Sequence, residues 1–148
     1  MEFTELIANF AERHSIADLA AEDNSAAIEV DGIAILLAAS RGELLISAEI
    51  GDPPPDGAAA FADLLLEANL ESEAAFAKSQ ESGRYVLTRR LPLAGLDGDA
   101  FDTSLEAFVN RTEAWRKLLA DYRPATAAAA EAAADDAATV GIGSFMQV

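Results

Sequence analysis

Residues 26–50 read AAIEVDGIAILLAASRGELLISAEI, and this stretch decides the fold. Three β-rich runs, AAIEVD, IAILLAAS and ELLISAEI, are separated by Asp31-Gly32 and Arg41-Gly42. Two-residue punctuation of that kind joins neighbouring antiparallel strands, so a three-stranded meander is predicted. The third run alternates, with Leu44, Ile46, Ala48 and Ile50 on one face and Glu43, Leu45, Ser47 and Glu49 on the other. The middle run is apolar on both faces and is expected to be covered on both.

Working outward, Phe3, Leu6, Ile7, Phe10 and Ala11 form a helical stripe over residues 3–14, with Glu5, Asn9, Glu12 and Arg13 off it. After the meander, Pro53, Pro54 and Pro55 remove ladder donors and stiffen a connector within one domain. Ala58–Glu71 reads as a second helix, in which Phe61, Leu64, Leu65 and Ala68 make one stripe and Leu66 and Leu70 widen it. AAFAKSQ and RYVLTRRLPL flank Glu81-Ser82-Gly83 and suit a second hairpin; helical continuation through Ala77 competes for the first of these runs. A third helix of five to six turns opens at Asp97-Gly98-Asp99, with Asp97 or Asp99 as its cap. Its stripe is Phe101, Leu105, Phe108, Thr112, Trp115, Leu119 and Tyr122, and Arg116, Lys117 and Arg123 lie toward the negative end of its dipole. The fold class is therefore α+β, in the order α-β-β-β-α-β-β-α, with a twisted antiparallel sheet packed against helices. Residues 1–123 form the domain and residues 124–148 an Ala-rich tail expected to be flexible, whose apolar end, SFMQV, can pack on the body or on a neighbouring subunit.

The chain has 148 residues, enough for one sizeable core. It contains no cysteine, which excludes disulfides, thiolate metal sites and thiol nucleophiles. Its formal charge of -16 disfavours nucleic acid and anionic membranes as partners. The slightly positive mean hydropathy of +0.14 comes from 34 alanines, and no apolar run reaches the ~18 residues of a membrane span. MEFTELIANF begins with an acid where a secretory signal carries bases, so a soluble cytoplasmic protein is expected.

A search for chemistry returns little. The single histidine, His14, has no G-x-S-x-G elbow to serve, and reads as a helix-end residue. Asp97-Gly98-Asp99-Ala100-Phe101-Asp102 superficially matches a calcium loop but has Phe101 at its fifth position and Phe108 where a bidentate glutamate is required. Glu71/Glu73 and Asp135/Asp136 are pairs that 26 acids supply by composition alone, and Gly141-Ile142-Gly143 opens no helix that would cradle phosphate. No enzyme, metal or cofactor is predicted. What remains is more apolar surface than one core requires, in the first stripe, the second helix and the sheet.

With that element order, the local text resembles the class I type III secretion chaperones, the Tir-chaperone-like or CesT-type family. Phe61-Ala62-Asp63-Leu64-Leu65-Leu66-Glu67-Ala68-Asn69-Leu70 is similar to its "LL-x-A-N" helix segment. Gly83-Arg84-Tyr85-Val86-Leu87 with Leu91-Pro92-Leu93 resembles its strand pair, and Leu105-Glu106-Ala107-Phe108-Val109 with Trp115-Arg116 its last helix. The resemblance covers about residues 3–123 and stops before the tail.

It implies a bacterial cytoplasmic homodimer that binds the extended amino-terminal segment of a secreted effector, without nucleotide, nucleic acid or membrane insertion. Carried over element by element, Phe61, Leu65, Leu66 and Leu70 belong to the dimer interface, and Phe3, Leu6, Ile7, Phe10, Ile33 and Ile35 contact the effector, which can also add a strand to an exposed edge. On that expectation, Leu6→Glu or Phe10→Glu spares the fold and abolishes effector binding. The alternative is a small dimeric ligand-binding or regulatory domain that shares only the architecture.

Overall fold

The computed structural model describes residues 1–123, and the expectations for the tail lie outside the described residues. Helix α1 (Phe3–Arg13) is followed by strands β1 (Ser25–Val30), β2 (Ile33–Ser40) and β3 (Glu43–Gly51), helix α2 (Ala58–Glu71), strands β4 (Ala74–Lys78) and β5 (Tyr85–Pro92), and helix α3 (Gly98–Asp121). The strands form one antiparallel sheet in the order β1-β2-β3-β5-β4.

Both tight turns of the predicted meander are present. Asp31 and Gly32 have φ of 51° and 79°, and Arg41 and Gly42 have 52° and 77°. Positive φ at both central residues is the turn whose twist matches that of the flanking strands, and glycine takes it without steric cost. At Gly51 the reason for glycine is spatial as well: a Cβ there would stand 3.0 Å from Leu119 of α3. The second hairpin also forms, because α2 ends at Glu71 and Ser72 is extended, with its hydroxyl accepting from the Ala74 amide at 3.0 Å. That local bond starts β4 and ends the helical alternative.

One face of the sheet carries the core. Ile28, Ile35, Ala48 and Leu87 lie in one register row and Leu37 and Ile46 in the next, all buried. They pack under Leu6, Ile7 and Phe10 of α1 and Phe101, Phe108 and Val109 of α3. Phe61 of α2 joins them, stacking on Tyr85 at 5.7 Å and meeting Trp115 and Tyr122 edge-on. Such aromatic pairs add about 0.5–1.5 kcal/mol beyond their burial. The expectation that β2 is covered on both faces is corrected: Leu36, on the face away from the helices, is 50% exposed, and Ala27 and Ala34 beside it are exposed. Three helices fall short of covering both faces of a five-stranded sheet, and they share the face whose alternation is more strongly apolar.

Helix α3 is longer than predicted, with 24 residues or about six and a half turns. Asp97 caps it by accepting from the Ala100 amide at 2.8 Å. At its other end Arg123 donates to the Ala120 and Tyr122 carbonyls, and Arg116 donates to the Glu49 carbonyl, tying α3 to β3.

Candidate partner-binding surfaces

The six side chains expected to touch an effector lie inside the chain. Phe3, Leu6, Ile7, Phe10, Ile33 and Ile35 are 4%, 0%, 0%, 6%, 3% and 1% exposed. This corrects their assignment as surface contacts: the α1 stripe packs on α3 and the sheet, with Phe10 edge-on to Phe101 at 5.4 Å. An amphipathic stripe has the same period whether it meets its own core or a partner. Of the six, Phe3 also lines an open groove of about 810 Å³ between the start of α1, the β2–β3 turn and Leu93, with Glu2, Glu5 and Asn24 on its rim.

The four α2 residues expected at a dimer interface divide in two. Phe61 and Leu65 are 0% and 4% exposed and belong to the core, whereas Leu66 and Leu70 are 63% and 86% exposed. Each pair is spaced i, i+4, and the second pair follows the first by five residues, which turns it about 140° around the helix. The outer pair forms an unpartnered apolar ridge among Asp63, Glu67 and Glu71, all exposed.

The two sheet edges are not equivalent. On β4 the backbone groups of Ala74 and Phe76 point away from β5. The Ser72 hydroxyl takes the Ala74 N–H, and the Asn69 side chain takes both groups of Phe76: its Oδ1 accepts from the Phe76 N–H at 2.6 Å and its Nδ2 donates to the Phe76 carbonyl at 3.3 Å. The side-chain amide of α2 thus occupies the place of a neighbouring strand residue. On β1 the closing pair Val30–Ile33 leaves Ala27 and Glu29 with their N–H and C=O groups pointing outward, and no partner meets them among the described residues. Glu22 pairs with Ser25 and closes only the beginning of that edge. We expect Asn69→Ala to lose about 1–3 kcal/mol from the two orphaned groups and to bare the β4 edge. Denaturant unfolding checks the loss, and light scattering checks for species that grow with concentration.

Four of the ten lysines and arginines, Arg13, Arg84, Arg89 and Arg90, are paired with acids among the described residues. Arg13 bonds Asp99 and Asp102 at 2.8 Å each, and His14 Nε2 lies 3.1 Å from Asp102, so two carboxylates of the near-match to a calcium loop hold α1 against α3. Arg84 bonds Glu49 at 2.9 Å and Asp52 at 3.4 Å, and these two carboxylates raise its pKa. Burial raises the pKa of Tyr85, so the fold favours the neutral phenol. That contribution is complete below the ordinary tyrosine pKa and is lost as pH rises through the raised one. Among the described residues the other acids are exposed, and Asp63, Glu67 and Glu71 surround Leu66 and Leu70 with negative potential.

Among the described residues no helix is long and apolar enough to cross a membrane. No curated protein matches the chain. Solved structures with the same fold include the ExsC-ExsE complex, with a TM-score of 0.69, 21% identity, and coverage of 80% of this chain and 97% of the other. A second is the HopA1-SchA chaperone-effector complex, at 0.66, 16% identity, 78% and 93%. A third is the Yersinia pestis type III secretion chaperone SycH in complex with a stable fragment of YscM2, at 0.62, 18% identity, 77% and 99%. Residues 5–116, most of the body described above, match the Tir chaperone protein (CesT) family. The chain belongs to that family.

Proposed function

We propose that this protein is a cytoplasmic type III secretion chaperone: a homodimer that holds the amino-terminal segment of a secreted effector extended, and performs no catalysis. The observation that carries this reading is the family match over residues 5–116, and solved neighbours that are themselves chaperone–effector complexes support it. The surfaces suit the task. An extended segment gains main-chain hydrogen bonds at the open β1 edge and places alternate side chains on the Leu36 face or toward the Phe3 groove. The occupied β4 edge favours β1 for that addition. Ordering a disordered segment opposes binding, so a broad contact is required, and two subunits supply it. The acidic surroundings select a segment that is apolar and basic.

The test is native capture from the source cytoplasm followed by light scattering and limited proteolysis. We expect a dimer carrying one copy of a larger protein, with a protected stretch near that protein's amino terminus. A monomer without a protein partner overturns the reading.

A further inference from the structure

Along β5 the residues facing the helices are Tyr85, Leu87, Arg89 and Leu91, so a guanidinium stands where the alternation calls for another core side chain. Arg89 shares its register row with Leu37 and Ile46 on one side and Ala74 on the other, and its side chain is only 20% exposed. Its Nη2 donates to Glu73 at 2.7 Å, but the Glu73 side chain is 83% exposed and gives a loose, solvent-screened pair. Its Nε is buried and has no acceptor among the described residues. Beside it, Arg111 of α3 donates to the Ser72 hydroxyl, a neutral acceptor, and makes no ion pair among the described residues. Two guanidinium groups thus share a cavity of about 260 Å³ between the end of α2, the start of β4, β5 and α3, with Phe108 in its wall. Glu73 pairs with Arg89 alone, and Glu71 is the only other acid in the lining, in a chain of formal charge -16.

We infer that this cavity is a receptor for a single carboxylate, the side chain of an aspartate or glutamate in the segment that the chaperone binds. A planar carboxylate that displaces Glu73 from Nη2, with a turn of the guanidinium that brings the occluded Nε to the cavity, takes Nε and Nη2 together side-on and satisfies the orphaned N–H. The volume admits one side chain and lies below the ~300–1,000 Å³ of drug-sized ligand pockets. Glu71 and Glu73 also line the cavity and repel a dianion such as phosphate more strongly than a singly charged carboxylate. On an otherwise acidic surface, one buried site that accepts an acid fixes the register of a segment selected elsewhere for apolar and basic character. The origin of the carboxylate rests on the function proposed above; the preference for a carboxylate does not.

The test is a titration of the full chain, labelled with ¹⁵N, with propionate at constant ionic strength, read at the arginine Nε–H resonances. Propionamide is the neutral control and inorganic phosphate the competing anion. We expect a saturable shift of the Arg89 Nε–H that propionamide does not produce and that is lost in Arg89→Gln. Arg89→Lys, which keeps the charge without the fork, should weaken it by about tenfold. Glu73→Gln removes the competing acid and should tighten binding by about threefold, whereas a merely structural ion pair predicts no gain. A shift spread equally over all arginines, no saturation, or preference for phosphate overturns the inference. In the captured complex the same resonance should already be shifted without propionate. If it is free there, the segment is not the source. A chain that binds propionate but captures no protein keeps the pocket and loses only the proposed function.

Discussion

Leu6→Glu unfolds the protein. Leu6 is 0% exposed in the middle of the α1 stripe, packed with Ile7 and Phe10 against the sheet and α3. Losing its apolar contacts costs about 2–5 kcal/mol, and a carboxylate without a partner there adds several more unless it takes up a proton. The sum approaches the 5–15 kcal/mol that holds an ordinary domain together. Near-UV circular dichroism should therefore collapse, and no cooperative thermal transition should remain. The informative contrast is Leu36→Glu on the open sheet face, where the side chain is already 50% exposed. That variant should melt like the parent and capture less effector. A folded, cooperative Leu6→Glu protein would show instead that the α1 stripe is a contact surface.

Replacing Leu66 and Leu70 together by Asp should turn the proposed dimer into folded monomers. Both side chains are mostly in water in the single chain, so the subunit loses little. Around a two-fold axis each substitution counts twice, and four leucines returned to water correspond to at least about 4 kcal/mol of association free energy, or a thousandfold in the dissociation constant. Light scattering should give half the parental mass with an unchanged melting curve. An unchanged mass removes the outer face of α2 from the interface. Phe61→Ala is the matching control, because Phe61 is wholly buried: it should lower stability by about 3–5 kcal/mol.

The elements were legible because their signals are local. The alternation of Leu44, Ile46, Ala48 and Ile50 named the buried face of β3, and Asp31-Gly32 and Arg41-Gly42 named the turns. The assignment of sites was less legible, since a helical stripe records that a face is covered and not by what. For α1 the cover is this chain's own sheet and α3. For α2 the excess of leucine was visible, but its division into an inner Phe61/Leu65 pair and an outer Leu66/Leu70 pair depends on how the helix is rotated over β4 and β5. Leu36 was hidden by the assumption that an apolar strand is covered on both faces. Arg89 did leave a trace, as a charge interrupting Tyr85, Leu87 and Leu91. Asn69 stood out only as the asparagine of the LL-x-A-N segment, and its hold on Phe76 was not legible, because it exists only once α2 has folded back along β4.

That hold limits what the sheet can join. In polymer terms a sheet with two free edges is a bifunctional monomer, able to extend from both ends into a fibre. With one edge stoppered at its middle by a side-chain amide, the subunit approaches a monofunctional one: it adds one strand, and extension from the other edge is hindered. A protein that spends its life beside unfolded apolar segments can then accept one of them without becoming the seed of an aggregate.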